Sequence, residues 1–146
     1  MKPSVVAAIA LVAASLTTSV AAEEWNAFSS STKTAYLADV GGIGVLGDDT
    51  TIRIARVPTE GAAGDYSHKI EEFVLRCGAQ KFRSILEVEY GPDGAEIARY
   101  DDAEAPWDDI PANGLGSYIK TIACDSQRAS GSSPSIQAFI DSGRGK

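Results

Sequence analysis

Between Lys33 and Asp101 the apolar residues recur at alternate positions, the period of strands with one face in a core and one in water. In the clearest stretch Phe82, Ser84, Leu86, Val88 and Tyr90 fall on one side, opposite Lys81, Arg83, Ile85, Glu87 and Glu89. The turn Gly91-Pro92-Asp93-Gly94 follows: proline presets φ and glycine accepts the positive φ that closes a reversal. Residues 95–101 are therefore expected to return as the hairpin partner. Upstream, Ile52 and Ile54 alternate with Arg53 and Ala55, and Phe73, Leu75 and Cys77 share a face opposite Glu72, Val74 and Arg76. Cys77 is thus expected to point inward from a strand end.

The period changes after Pro111. Leu115, Tyr118, Ile119 and Ile122 recur at spacings of three and four, one face of a helix that ends at Cys124. Asn113 is the expected N-cap, with Gly114 and Gly116 weakening the first turn. Residues 125–146 read as a flexible Ser/Gly-rich tail, in which Ser133-Pro134 is placed to start a short helix carrying Ile136, Phe139 and Ile140. The predicted fold class is α+β: a small antiparallel sheet of about five to six strands, packed against a helix near the C-terminus and closed by one disulfide.

The first 22 residues follow a different grammar. Met1-Lys2 supplies one positive charge, Val5 to Ala14 a short apolar core, and small and polar residues lead to Ala21 and Ala22. That order is the one of a cleaved secretory signal peptide, with the cut expected near Ala21 or Ala22. The Ala-rich core is interrupted by Ser15, Thr17, Thr18 and Ser19 and is short of the roughly 20 apolar residues a membrane span needs. No cysteine precedes Cys77, so no lipobox is present. The expectation is a periplasmic or secreted product whose mature chain does not insert in a membrane, with residues 23–124 as its domain.

Export bears on Cys77 and Cys124, the two cysteines, because disulfides persist outside the cytosol. One bridge between them is expected. Its rivals are a redox site, which favours a Cys-x-x-Cys spacing, and zinc, which requires more ligands than two cysteines and His68 provide.

Charge narrows the functions further. The formal net charge is −7, and loss of Lys2 with the leader makes it −8. Long-range repulsion of phosphate argues against nucleic acid as a partner. The glycines Gly42, Gly44 and Gly47 spell G-x-G-x-x-G, but the β-branched run Thr51 to Val57 follows where a nucleotide site requires a helix. No cofactor is therefore assigned. Asp101, Asp102, Glu104, Asp108 and Asp109 match no calcium-loop spacing, and no metal ligands are assigned. His68, near Asp65 and Ser67, lacks a nucleophile-elbow context and reads as an exposed loop histidine. No catalytic residue is assigned.

In order, the landmarks are Trp25, Tyr36-Leu37-Ala38-Asp39, the Thr51 to Val57 strand, Cys77, the Tyr90 to Tyr100 hairpin, Trp107-Asp108-Asp109-Ile110-Pro111 and a helix ending at Cys124. This succession resembles the surface-adhesin protein E family of small exported bacterial domains. The resemblance implies an antiparallel sheet with helix, closed by a Cys77–Cys124 disulfide, in the Gram-negative envelope. The expected function is a non-enzymatic, protein-binding envelope domain presenting a sheet face or edge to a protein partner, as monomer or homodimer. Two alternatives stand beside it. One is an accessory envelope enzyme or metal-dependent hydrolase using the acidic 101–109 loop and His68. The other is a structural or homodimeric subunit.

Overall fold

The computed structural model describes residues 21–146, so the leader expected over residues 1–22 lies outside the described residues except for Ala21 and Ala22, which are exposed. Six strands form an antiparallel meander in sequence order along the sheet: β1 (Trp25–Ser30), β2 (Thr34–Asp39), β4 (Asp49–Pro58), β5 (His68–Arg76), β6 (Lys81–Tyr90) and β7 (Glu96–Asp101). Two short strands lie off this path. β3 (Gly44–Leu46) is a hairpin on β4, and β8 (Asp108–Asp109) pairs with the start of β6. The architecture is α+β and strand-dominated, with eight strands where five to six were expected. The two extra ones are too short to show a period-2 pattern.

Both faces of the sheet are buried, each over a different half, and β4 shows how. Thr50, Ile52 and Ile54 are buried on one face, whereas Ala55 and Val57 are buried on the other. Ile52 and Ile54 pack with Ala38, Phe73 and Leu75 under the helix α1 (Leu115–Ala123), through Ile119 and Ile122. Ala55 and Val57 pack with Trp25, Leu37 and Ile70 under α2 (Ile136–Asp141), through Ile136, Phe139 and Ile140. We call these the α1 face and the α2 face.

This layout corrects the reading of β6 as having one inward side. Its register against β5 runs Leu75↔Phe82 and Phe73↔Ser84, then Glu72↔Leu86 and Ile70↔Val88, so Ile85 is an extra residue. A bulge of one residue moves everything beyond it to the opposite face. Phe82 consequently joins the α1 core, while Val88 pairs with Ile70 of the α2 core. The Gly91–Gly94 reversal forms as expected: Gly94 has φ 77° and its N–H donates to the Gly91 carbonyl at 2.9 Å.

α1 forms where expected, but its cap differs. Gly114, at φ 85°, occupies the N-cap position instead of Asn113, and no side chain caps the helix. Gly116, in the first turn, is there for close packing: a Cβ on it would lie 2.8 Å from Pro111 Cδ and 3.4 Å from the Phe82 ring. Tyr118 is 52% exposed and does not join the buried stripe.

Residues 125–146, expected as a flexible tail, are packed onto the sheet. Ser133 exchanges two backbone hydrogen bonds with Trp25, at 2.8 and 2.9 Å, along the outer edge of β1. The buried Asn26 side chain donates to the carbonyls of Ala129 and Gly131 and accepts from the Ala129 N–H. Ser135, not Ser133, caps α2 by accepting from the Ala138 N–H at 3.0 Å. Arg144, buried with φ 59°, donates to the carbonyls of Pro58 and Asp65 at 2.8 and 2.6 Å. Polar composition suggested a loose segment. Three apolar side chains at helical spacing and a set of backbone clamps anchor it to the domain.

Candidate functional site

The disulfide joins Cys77, one residue past β5, to Cys124, the C-cap of α1, with Cα atoms 5.7 Å apart. It fixes the far end of α1 to the sheet, as the sequence implied, and no free cysteine exists among the described residues.

The acidic loop and His68 do not converge. His68 pairs with Tyr90 at one end of β6, and Asp109 pairs with Lys81 at the other, nine residues away. At ~3.3 Å per residue the separation along the strand is roughly 30 Å. Asp101, Asp102, Glu104, Asp108 and Asp109 are all exposed, and Asp109 is paired with Lys81 at 2.7 Å. His68 is also not a loop residue. It opens β5, stacks on Tyr90 with ring centroids 4.4 Å apart, and its Nδ1 lies 2.7 Å from the Tyr66 carbonyl. Burial pushes its pKa below the ordinary imidazole value, opposed by that carbonyl and by Glu23.

The three glycines Gly42, Gly44 and Gly47 lead into and close the β3–β4 hairpin, with Gly47 at φ 61° in its two-residue turn. Nothing there opens a helix.

Two of the landmark residues serve the frame. Asp39, fully buried, accepts from the N–H groups of Glu24 and Gly42 and from both Nε and Nη2 of Arg53. A buried carboxylate with four donors is a satisfied structural node. The guanidinium groups of Arg76 and Arg83 both lie over the Trp107 ring, 4.2 and 4.4 Å from its centroid, which ties Trp107 to β5 and β6.

Two surfaces stay open to a ligand: the β3 hairpin, where Val45 and Leu46 are exposed on a strand of only three residues, and the larger uncovered half of the α1 face with the edge beside it. The cross-strand register lines up Tyr36, Arg56, Lys69 and Glu89, with Glu71 and Glu87 in the next row. Arg56 pairs with Glu71 at 2.6 Å and Lys69 with Glu89 at 2.6 Å and Glu87 at 3.3 Å. These carboxylates, Glu89 foremost, raise the pKa of Lys69. Tyr36, Arg56, Lys69 and Glu89 line an open depression of about 460 Å³ that Ile97 closes on the β7 side.

β7 ends the sheet. It pairs with β6 on one side only, five of its six residues are exposed, and Ile97 and Tyr100 are 67% and 59% exposed. The register Leu86↔Asp101 to Glu89↔Ala98 is regular, and Ile97 is then bulged before Tyr90↔Glu96. Glu96 and Arg99, three apart in sequence, are thereby brought onto one face, and Arg99 Nε and Nη2 each donate to Glu96 at 2.9 Å. The edge at the other end of the sheet is unlike it, since Ser133 pairs with β1 at Trp25 there. The pattern of residues locates the hairpin but not its status as an edge, because that depends on whether another segment pairs with the outer side of β7.

No protein-family model, curated protein or solved structure matches this chain.

Proposed function

We propose that this chain is an exported, non-enzymatic binding domain of the bacterial envelope, periplasmic or secreted, that engages a protein partner through β7 and the adjoining open half of the α1 face. The observation that carries this reading is β7 itself: an unpaired strand edge with two large apolar side chains in solvent. Such an edge is the docking element of strand-addition complexes, where main-chain hydrogen bonds give affinity and alternate side chains give specificity. The charged rows of Arg56, Lys69, Glu71, Glu87 and Glu89 beside it supply polar contacts for the rim of such an interface. Export is supported by the leader's three-part order and by a disulfide that oxidising compartments preserve. Affiliation with the surface-adhesin protein E family is part of the same proposal and rests on the order of landmarks. The separation of His68 from the acidic loop weighs against the hydrolase alternative.

The test is a comparison of baits. Wild-type protein is used to capture partners from envelope extracts beside the double variant Ile97→Lys/Tyr100→Lys and a control, Val45→Lys/Leu46→Lys, on the exposed β3 hairpin. Loss of a captured protein in the β7 variant but not the control is the expected result. Identical captured sets from all three baits overturn the reading.

A further inference from the structure

We propose that β7 pairs with β7 of a second copy of this chain, antiparallel and centred on Tyr100; this rests on the reading of β7 as the binding edge and names its partner. The regular part of the strand, beyond the Ile97 bulge, is Ala98-Arg99-Tyr100-Asp101, followed by Asp102. Its charges are arranged to complement themselves under a twofold rotation about Tyr100. With Tyr100 opposite its own copy, Arg99 opposes the partner's Asp101 and Asp101 opposes the partner's Arg99. One centre thus generates two ion pairs, which is the self-complementarity an isologous interface requires.

The faces agree with this register. Arg99 pairs with Val88 and Asp101 with Leu86, so both charges project from the same face, and a twofold axis normal to the sheet keeps them there. Tyr100, paired with Glu87, projects from the other face, where the two exposed rings meet across the axis. Glu96 engages Nε and Nη2 of Arg99, which leaves Nη1 to reach across the edge.

Neighbouring registers are disfavoured by charge. Centring on Arg99 sets two arginines against each other, and centring on Asp101 sets two aspartates together. A twofold axis normal to the sheet sets one residue opposite its own copy, so the remaining neighbour is centred on Ala98, which opposes Arg99 with the partner's Ile97, forms no Arg99–Asp101 pair and draws both Ile97 bulges into the pairing. Like charges directly opposite across a strand pair are destabilising, so the sequence selects a single register. At the other end of the sheet Ser133 occupies the outer edge of β1 at Trp25, so that edge is partly taken within the chain.

Sedimentation of the purified protein, disulfide intact, across a wide concentration range tests this. The wild type is expected to show a reversible monomer–dimer equilibrium. Arg99→Asp alone or Asp101→Arg alone turns both ion pairs into repulsions and weakens the dimer by about tenfold or more. Mixing the two single variants restores both attractions across the interface, so the mixture, like the double variant Arg99→Asp/Asp101→Arg, is expected to regain dimerisation. Unchanged circular dichroism and melting of each variant separate lost pairing from lost folding. A wild type that stays monomeric, single variants that dimerise normally, or a mixture that fails to recover each overturns the proposal. The broader reading is judged separately. If the chain is monomeric while β7 variants lose a captured envelope protein, self-pairing falls and the binding edge stands. If the dimer forms while the captured set is indifferent to β7, self-pairing stands and the heterologous partner site falls.

Discussion

The two helices do the same job on opposite faces of one sheet, and they are held there by different means. α1 is the longer, with nine residues, yet it starts at a glycine with no side-chain cap and buries chiefly Ile119 and Ile122. A covalent bond at Cys124 fixes its end. α2 has only six residues, but Ser135 caps it and half of them are buried. Asn26 and Arg144 then bind the chain before and after it through five hydrogen bonds to backbone groups. An isolated helix of either length is unstable in water, so each depends on what anchors it. The contrast shows that a helix without a side-chain cap can be held by packing plus one cross-link, whereas a shorter one can be held by packing and polar clamps.

That contrast can be broken selectively. Cys77→Ser/Cys124→Ser opens a loop with 46 residues between the cysteines, and the chain-entropy model gives a loss of about 4 kcal/mol, measured by urea unfolding. Hydrogen exchange should accelerate most in 115–123 and little in 136–141; a uniform increase would show that the helices are not separately anchored. Phe139→Ala, which empties the α2 core, is expected to cost about 3 kcal/mol. Limited proteolysis should then cut within residues 129–146 while the disulfide-tied α1 stays protected.

Asn26→Ala leaves the Ala129 N–H and the carbonyls of Ala129 and Gly131 without that partner, for about 2 kcal/mol. Its effect should appear at the β1 edge and the following tail, and an equal effect at α1 would contradict the division. The smallest effect concerns pH. Burial favours neutral His68 in the fold, so its folded pKa lies below the unfolded value of 6.5. The unfolded state then takes up the proton first, and stability falls as pH drops through 6.5 toward the folded pKa. His68→Gln should flatten that part of the stability–pH curve; an unchanged slope would mean that another group carries it.

The bare edge and the covered edge differ for a related reason. The pattern of residues 82–101 is sufficient to locate the β6–β7 hairpin, but it says nothing about what lies on the outer side of β7. At the other end of the sheet the tail lies on β1, through Ser133 beside Trp25 and the Asn26 bonds to Ala129 and Gly131. In the sequence Tyr100 only marks the end of the expected hairpin. Its position on an unpaired edge, beside Arg99 and Asp101, is what turns it into a candidate contact.

The sequence by itself determined the elements whose signals are local. Alternation over residues 33–101 marks the strands, glycine and proline at 91–94 set the turn, and spacings of three and four over 115–122 mark the helix. Two cysteines allow one intrachain bridge. Tertiary structure decided everything that turns on a single residue of register. The extra Ile85 switches the face of Leu86, Val88 and Tyr90, and β4 changes its buried side between Ile54 and Ala55, so the sheet has two half-cores where alternation implied one. It also recruited the polar tail, because Ile136, Phe139 and Ile140 find their apolar partners far back along the chain at Trp25 and Leu37. Period-2 patterns fix which residues share a face within an unbroken strand; a bulge and a distant cover are settled only when hydrogen bonds and packing are satisfied across the whole domain.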